Sequence, residues 1–370
     1  MTRITIISEQ ESVTHISSYG HTITTEIGFD TATFSTVMAE RNAARWFEQK
    51  LGDKVVVYND HSMVIWEGFV NEVELVIGGL AIRTGPLTDI GNKVRAAYQT
   101  VDYSIVFVPG EARKTDWGYN TESIGRYFTF EHEISIGDAA TEEEAELIRN
   151  TYLQEFAFPP TSENIALAQS GESYRLTVSC LGYGHLLDRY FYESDEAGYT
   201  PAVFKLVDVL HADPDDLFAG NHPVQANGTM VPAWAEGNET ALSIIKGLVS
   251  YGDEDYGRWI FGVYENRRVS YYPLSTTPVY NISIAPSGHQ VRTANTNTVF
   301  PPELVRPGVV ARIVDVLPGI ATTGPAAQLG SPTTVLIESV SFSAPATVTI
   351  TGGRTDTISQ KLARLGLGAL

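Results

Sequence analysis

Apolar and polar residues alternate along much of the first hundred positions. Residues 12–34 are rich in Thr, Ile, Val and Tyr, with period-two stretches such as the one from His21 to Ile27. This alternation is typical of strands with one buried face. Over 38–51 the apolar residues recur at helical spacing instead, and Gly52 follows as a stop signal, which predicts one helix.

Two hairpins are predicted after this helix. Apolar runs are separated first by the turn-forming sequence Asn-Asp-His-Ser and then by a pair of glycines, as hairpin connections require. We therefore predict that residues 1–105 form a small antiparallel β-barrel that carries one helix. The predicted strand pairs are 54–58 with 63–70, and 72–77 with 80–84.

Residues 106–275 are predicted to form a mixed α+β middle region. Thr141 and Glu144 are the two ends of a capping-box motif that opens a helix, and Pro159 and Pro160 end it. The elements predicted from periodicity are helices over 142–156, 201–211 and 239–251, a short helix around 185–191, a strand over 174–181, and a hairpin of 258–264 with 268–274.

The pattern returns to β over residues 276–356, where Thr and Val are enriched, as they are in pleated, half-buried strands. We predict a second small barrel here, with an aperiodic Gly/Ala/Pro/Thr loop over 318–332. The fold class is therefore mainly β with α+β insertions. The strands of this second barrel are predicted over 279–285, 309–316, 334–342 and 347–351.

The last residues, 357–370, are predicted to form a C-terminal docking tail. Its apolar residues fall at helical intervals, and so short a helix is marginal on its own. We therefore expect it to dock on its own body or on a neighbouring subunit. The candidate subunit-contact residues are Ile358, Leu362, Leu365 and Leu370.

The charge balance narrows the classes of function. The chain has 25 Lys and Arg against 44 Asp and Glu, for a formal net charge of −19. This argues against gripping nucleic acid as the main task, because phosphate contacts need basic side chains. DNA can still slide past such a surface without binding to it.

Cysteine and apolar content exclude further classes. Cys180 is the single cysteine, so neither an internal disulfide nor a cysteine-rich metal site is expected, and its apolar surroundings predict burial. No stretch approaches the eighteen apolar residues of a membrane span, and the first residues lack the features of a signal peptide. We therefore expect synthesis in a cytoplasm and no membrane insertion.

Two acidic runs are the candidates for chemistry. In residues 211–216, a histidine is followed by three Asp residues, but the distant carboxylate of a calcium-binding loop is missing. Residues 251–257 place carboxylates near tyrosines and Trp259, as a sugar-cleaving site would. Turns held or solvated by Asp are the favoured interpretation of both runs. No catalytic, cofactor or metal site is predicted, since no zinc-site histidine spacing, nucleophile motif or phosphate loop is found.

Tyrosine is abundant, with close pairs at Tyr190 and Tyr192 and at Tyr271 and Tyr272. Exposed Tyr and Trp patches bind carbohydrate or protein. Burial in the core or in a subunit contact explains these residues equally well. The sequence leaves both interpretations open.

Several segments, taken in order, resemble a pattern in bacteriophage baseplate-hub and tail-tip proteins. A strand after Leu51-Gly meets a second strand that ends at Gly68 and continues into a long hairpin. The stretch from Asn92 to Tyr98 is similar to the Asn-x-Val-x-x-x-Tyr strand of those proteins.

The resemblance continues along the chain and covers about residues 40–280. Ser123 to Tyr127 is similar to the family's Ser-Ile-x-x-Tyr/Phe segment, although Phe128 stands where the family has glycine. The segment from Arg175 to Asp188 resembles the strand–Gly-x-x-x-x-Leu unit that follows.

This resemblance implies two barrels of the tail-tube type, with the middle region inserted between them. It implies a homotrimer whose six barrels continue a six-fold tube, and whose partners are the tail-tube, distal tail and tip or fibre proteins. DNA would be passing cargo, and the acidic balance suits a channel wall that must not bind it. The implied location is the virion tail tip, after assembly in the host cytoplasm.

Two alternatives stay open. One is a distal-tail or receptor-binding module that recognises host-surface glycan through Tyr and Trp patches, and the remote one is a glycan hydrolase that uses Asp253 and Asp255. A ring of three under a tube favours the hub, whereas a monomer with affinity for saccharide favours the glycan binder. Sugar cleavage that is lost on Asp255→Asn favours the enzyme.

Overall fold

The fold is mainly β with a few helices, as predicted. Within the described residues, no helix combines the length and the apolar composition that a membrane crossing requires. The computed structural model describes residues 4–9, 11–77, 80–102, 108–165, 174–194, 198–218, 220, 223–234, 236–253, 257–285, 288–314, 333–344 and 347–353.

The first elements are strands around one helix, and the predicted helix and both hairpins are confirmed. Ala43 and Trp46 form the buried stripe of the helix, so its amphipathic pattern fixes which side faces the sheet. The elements are β1 (Thr5–Ser8), β2 (Glu11–Val13), β3 (Ile16–Thr24), β4 (Gly28–Met38), α1 (Glu40–Gln49), β5 (Lys54–Tyr58), β6 (Val64–Ile77) and β7 (Leu80–Thr84), followed by a 3₁₀ turn at Leu87–Asp89.

A second group of elements is built around the predicted capping box. The backbone N–H of Glu144 donates to the Thr141 hydroxyl at 3.2 Å, and the Glu144 carboxylate accepts from the Thr141 N–H at 2.8 Å. The helix therefore begins where the sequence predicts. The elements are β8 (Lys93–Asp102), β9 (Val108–Lys114), β10 (Gly118–Tyr119), α2 (Thr121–Arg126), β11 (Glu131–Ala140), α3 (Glu142–Phe156) and β12 (Thr161–Ile165).

The next group contains the predicted strand 174–181 and two further predicted helices. The second helix begins two residues later than predicted, because the Thr240 side chain caps it by accepting from the Ser243 N–H. The helix predicted over 185–191 is instead a 3₁₀ turn at Tyr183–Asp188, and Phe191 already belongs to a strand. The elements are β13 (Tyr174–Leu181), β14 (Phe191–Glu193), β15 (Tyr199–Pro201), α4 (Ala202–His211), β16 (Met230–Pro232), β17 (Glu236–Thr240) and α5 (Ala241–Tyr251).

The remaining elements are mainly strands; six of them match predicted strands, and two, over 288–293 and 299–300, were not predicted. The hairpin of β18 and β19 turns through Glu265–Arg267, and the predicted loop 318–332 lies outside the described residues. The elements are β18 (Trp259–Val263), β19 (Val269–Pro273), β20 (Tyr280–Ala285), β21 (Gly288–Thr293), β22 (Val299–Phe300), a 3₁₀ turn at Pro302–Leu304, β23 (Val310–Val314), β24 (Thr333–Ser343) and β25 (Thr347–Gly353).

One large curled sheet dominates the molecule. It joins seventeen of the described strands by hydrogen-bonded pairing, and its central order is β5–β6–β13–β4–β3–β24. Strand β13 pairs antiparallel with both β4 and β6, so it lies between strands that come more than ninety residues earlier in the chain. The domain limits at residues 105, 275 and 356 stay a prediction.

A smaller sheet holds β8 against β9, β10 and β11. The pairing of β8 with β11 is parallel, and α3 packs across β8, β10 and β11. The buried Arg95 of β8 forms ion pairs with Glu133 and Glu193 and donates to the Gly237 carbonyl at 2.8 Å. A single guanidinium, with its several donors, thus joins three parts of the middle region.

The seam between the N-terminal and C-terminal strands is the pairing of β3 with β24. It runs from Gly20 opposite Ser343 to Thr24 opposite Ser339. Beside it, the Arg306 guanidinium donates to the Val64 carbonyl at 3.0 Å and lies 5.0 Å from the ring centre of Phe29. These contacts join residues separated by more than two hundred positions, which no local sequence pattern encodes.

Two glycines of the resemblance motifs have a steric role in this sheet. A Cβ on Gly68 would lie 2.1 Å from the Leu181 carbonyl oxygen, and one on Gly182 would lie 1.8 Å from that of Phe29. No other residue tolerates so close a backbone approach. These glycines allow β6, β13 and β4 to cross closely.

The side chains form one large core and two small ones within the described residues. The large core lies under the curled sheet and is rich in aromatic residues, among them Trp46, Trp66 and Phe34, all at most 1% exposed. A second core lies among the C-terminal strands and contains Tyr280, Val291, Val305, Ala311, Ile337 and Val340. A third lies between α3 and the smaller sheet and contains Ala96, Tyr98, Ala140 and Ala145.

Candidate assembly surfaces

The first acidic run is a turn held by its own carboxylates. Asp213 is buried and accepts from the backbone N–H groups of Asp215 and Leu217, at 3.2 and 2.5 Å. Asp215 accepts from the backbone N–H and the hydroxyl of Thr129, at 2.7 and 2.8 Å. Burial raises the pKa of Asp213 to about 6 against the opposing effect of these backbone bonds. The favoured interpretation, a turn with Asp caps, is confirmed.

The second acidic run also holds its own loop. Asp253 accepts from the Gly257 N–H at 2.5 Å and from the Trp259 indole N–H at 3.3 Å. Asp255, the partner in the glycan-hydrolase alternative, lies outside the described residues. Among the described His, Cys, Asp and Glu side chains, no three are grouped to hold a metal ion.

Three of the four tyrosines that the sequence left open are core residues, and Tyr272 is half-buried. Tyr190, Tyr192 and Tyr271 are at most 2% exposed. The Tyr190 hydroxyl donates to the Val209 carbonyl at 2.9 Å, and the Tyr271 ring packs 4.6 Å from that of Trp259. These three therefore offer no surface for a glycan. Cys180 is buried as predicted, and this burial raises the pKa of its thiol.

Exposed apolar side chains concentrate on one side of α4. Tyr199 is 73% exposed, Phe204 66% and Met230 54%, and the pairing of Pro201 with Met230 holds β15 and β16 together beside the start of the helix. We call Tyr199, Phe204 and Met230 the α4 surface. Three such side chains so close together exceed the scattered apolar exposure of an ordinary surface.

A shallow pocket of about 250 Å³ adjoins the α4 surface. It is lined by Phe204, Val207 and His211, and by the polar residues Lys205 and Asp208. The Lys205 side chain is fully buried, donates to the Tyr192 hydroxyl at 2.8 Å and pairs with Asp208 at 3.5 Å. The buried cation is thus compensated, and Asp208, about half exposed, presents a carboxylate to the pocket.

A second groove of about 290 Å³ lies where α1 meets α2. Its walls include Phe47, Tyr127 and Phe158, and Phe158 is 38% exposed. Arg126 on the rim donates to the Glu48 carbonyl at 2.6 Å, which neutralises the last turn of α1.

The outer side of α3 is an apolar and acidic surface. Leu147 is 66% exposed and Ile148 41%, and they are flanked by the exposed Glu143, Glu144 and Glu155. We call these five residues the α3 face.

The edge of the large sheet next to β24 is formed by β25. Among the described strands, β25 pairs with β24 and with no other. Its Thr347, Thr349 and Thr351 are exposed, and an edge strand with free backbone groups and no charge is a template for further pairing. The predicted contact residues Ile358, Leu362, Leu365 and Leu370 follow this strand and lie outside the described residues.

Three solved structures follow a course similar to that of this chain. A tail protein from Neisseria meningitidis MC58 is 8% identical, with 92% of each chain covered and a TM-score of 0.46. The 43 kDa tail protein of prophage MuSo2 from Shewanella oneidensis is 9% identical, with 96% of this chain and 98% of that one covered and a TM-score of 0.47.

The third is a type VI secretion component of E. coli, described as structurally similar to the T4 bacteriophage tail proteins gp27 and gp5. It is 10% identical, with 95% of this chain and 76% of that one covered and a TM-score of 0.40. These are tail proteins or a protein likened to them, the class that the sequence motifs resemble. No protein-family model and no curated protein sequence matches the chain.

The α4 surface is the feature that sequence reasoning missed. The signal was available, because α4 is apolar on nearly every side, with Val203, Phe204, Leu206, Val207, Val209 and Leu210. Such a helix is normally buried all round. Its Phe204 departs from that pattern, because the side chain is 66% exposed.

Proposed function

We propose that this chain is a structural protein of a phage tail, and specifically a hub at the tail tip. The observation that carries the proposal is the continuous curled sheet, in which β3 and β24 pair across more than three hundred residues. A continuous β wall is suited to a mechanical part, because its backbone hydrogen bonds join strands from both ends of the chain. The ordered series of motifs in the sequence supports the same role.

The finer architecture of the proposal follows from the resemblance. Two tube-like barrels in each of three copies would offer six similar units to a six-fold tube, as a closed cyclic ring allows. The partners would be the tail-tube protein on one side and the distal tail and tip or fibre proteins on the other. The chain would assemble in the host cytoplasm and act at the tail tip of the virion.

The acidic charge supports the role of a channel wall. A formal charge of −19 repels the DNA backbone, so DNA would pass as cargo without binding to the wall. Asp213 and Asp253 hold their own loops and Asp215 binds Thr129, which supports a structural role over a catalytic one.

Electron microscopy of the virion tail tip tests this proposal. We expect three copies of the chain in a ring on the tube axis, directly below the last tube ring, with acidic side chains towards the lumen. Six copies, or a position away from the axis, would overturn the hub assignment.

A second candidate function is recognition of a host-surface glycan, and the α4 surface favours it. The exposed rings of Tyr199 and Phe204 offer apolar faces on which a sugar can stack, and Asp208 and His211 offer hydrogen-bonding groups beside the pocket. We expect Phe204→Ala and Tyr199→Ala to weaken binding of host polysaccharide at least tenfold if this function holds. Val299→Ala, at an equally exposed site, serves as the control, and unchanged binding in the two aromatic variants would reject this candidate.

A further inference from the structure

We propose that the α3 face receives the segment 357–370 of a second copy of the chain. The inference rests on the proposed self-assembly and names the two surfaces that meet in it. It follows from the position of α3, from the charges on its face, and from the pattern of the segment.

The orientation of α3 is fixed by its inner side. Ala145 and Leu153 are buried, and the Tyr152 ring stacks on His132 with 4.8 Å between the ring centres. Arg149, with its side chain only 11% exposed, turns towards the body and donates to the Asp116 carbonyl at 2.9 Å. The one basic residue of α3 therefore bonds to other residues of the chain, and the opposite side of the helix faces outward.

The outward side of α3 has exposed leucine and isoleucine side chains, and the charged residues beside them are all acidic. Leu147 and Ile148 stand next to each other, and Glu143, Glu144 and Glu155 surround them. The Glu144 carboxylate is held charged, because its hydrogen bonds to Thr141 lower its pKa. A partner for this face needs an apolar stripe bordered by cations.

The segment after β25 has that chemistry. Residues 354–370 have a formal charge of +2, from Arg354, Lys361 and Arg364 against Asp356. Because the whole chain has a formal charge of −19, residues 1–353 have a charge of −21. The segment is therefore a basic region in a strongly acidic protein.

The cations of the segment border its apolar stripe. In the predicted helix, Ile358, Leu362 and Leu365 follow the i, i+4, i+7 pattern. Lys361 and Arg364 directly precede two of these residues, so both lie along the same edge of the stripe. The glycines at 366 and 368 weaken the helix in isolation, and contact with a second helix would supply the missing stabilisation.

The distance along the sheet from β25 towards α3 favours a contact with α3 of a second copy over a contact within the same chain. From β25 to β7 the path crosses six inter-strand steps, through β24, β3, β4, β13 and β6, which amounts to about 29 Å measured along the curled sheet. Helix α3 packs on the separate sheet of β8. The connection of three residues, 354–356, spans only about 10 Å when extended.

Binding of a labelled synthetic peptide of residues 354–370 to the chain that lacks those residues tests the contact. Fluorescence anisotropy is expected to show saturable binding that weakens at least tenfold when Leu147→Asp is combined with Glu143→Lys. Val299→Asp, at a site 62% exposed on β22, is the matched control and is expected to bind as the parent does. A peptide with Lys361→Glu and Arg364→Glu is expected to lose binding to the parent and to regain it on a chain with Glu143→Lys and Glu155→Lys.

Cysteine cross-linking identifies which copy is bound. A sample that mixes Ile148→Cys chains with Leu362→Cys chains is expected to form disulfide-linked pairs under mild oxidation, whereas Val299→Cys in place of Ile148→Cys is not. When both substitutions are in one chain, the expected products are still linked copies. A disulfide closed within a single monomer would overturn the proposal, as would equal peptide binding by the parent and the α3 variants.

Light scattering separates the failure of this inference from the failure of the hub proposal. Deletion of 354–370 is expected to lower the oligomer mass of the chain, with an unchanged circular dichroism spectrum as the folding control. An oligomer that survives the deletion contradicts the inference and leaves the hub intact. A full chain that is monomeric at every concentration contradicts both.

Discussion

The N-terminal and C-terminal β regions are built from similar strands and stabilised very differently. The first region buries Trp46, Trp66 and Phe34 under the curled sheet. The separate core of the second contains six buried side chains among the described residues, with Tyr280 as their one aromatic ring. Because hydrophobic stabilisation scales with buried apolar area, the C-terminal region by itself is the weaker unit.

The seam compensates for this difference. Phe342, on a C-terminal strand, belongs to the large core, and its ring stacks on that of His21 with 5.4 Å between the ring centres. Arg306 adds hydrogen bonds to the carbonyls of β6. The weaker region is therefore stabilised by the stronger one, through a few long-range contacts.

The largest expected effect comes from removing a phenylalanine on each side of this comparison. Phe34→Ala and Phe342→Ala each create a large cavity, and we expect each to lower the free energy of unfolding by about 3–5 kcal/mol. Hydrogen exchange is expected to show that Phe34→Ala accelerates exchange in both regions, whereas Phe342→Ala accelerates it first in β20–β25. Equal acceleration in the two regions by Phe342→Ala would show that they unfold as one unit.

Arg306→Ala is expected to have the next largest effect. It leaves the carbonyls of Val64 and Ile65 without this donor and removes the cation from the Phe29 ring, at a cost of about 2–4 kcal/mol. Arg83→Ala is the matched control, since it breaks exposed ion pairs with Glu72 and Glu74, each worth at most about 1 kcal/mol. Urea unfolding measures both, and similar midpoints for the two variants would contradict the role assigned to Arg306.

Acidification is expected to weaken the seam through His21. Burial lowers the pKa of His21 from 6.5 to about 3, and within the described residues its Nε2 has no hydrogen-bond partner. The unfolded chain therefore takes up this proton first, so stability is present above pH 6.5 and is lost as the pH falls towards 3. The expected loss is about 2 kcal/mol between pH 7 and pH 5.

His21→Phe tests this pH dependence. The Tyr19 hydroxyl lies 2.9 Å from Nδ1 of His21, so the variant loses that contact, but its stability is expected to fall less between pH 7 and pH 5. Asp213 acts in the opposite direction, because its pKa of about 6 lies above the ordinary value. The folded state takes up this proton first, so its contribution to stability rises by about 1 kcal/mol as the pH falls from 7 to 5. An unchanged pH slope in His21→Phe would rule out this role of the histidine.

The smallest expected effect compares single methyl groups in the two cores. Ile65→Val in the large core and Ile337→Val in the small core, both at 0% exposure, are each expected to cost about 1 kcal/mol. The two variants are expected to differ in which strands exchange faster, because Ile337→Val is expected to change hydrogen exchange only in β20–β25. Exchange that also rises in β5 and β6 would place Ile337 in the common core.

Sequence reasoning was accurate where the determinants are local. The capping box of Thr141 and Glu144 fixed the first residue of α3, and the turn sequences fixed the hairpins of β5 with β6 and of β18 with β19. The resemblance motifs include Gly68 and Gly182, but the sequence did not show the close backbone contacts that require glycine there. The burial of Tyr190 and Tyr271 was left open, because tyrosine occurs in cores and on surfaces alike.

The sequence by itself therefore determined the mainly β class, most of the helices and the adjacent hairpins, since each depends on a period or a turn within a few residues. Only the tertiary structure decided that β13 lies between β4 and β6, that β8 and β11 are parallel, and that β3 meets β24. It also decided that Phe204 is exposed on an apolar helix and that Lys205 is buried. The reason is that strand partners and burial depend on residues far apart in the chain, whose approach is set by the packing of the whole sheet.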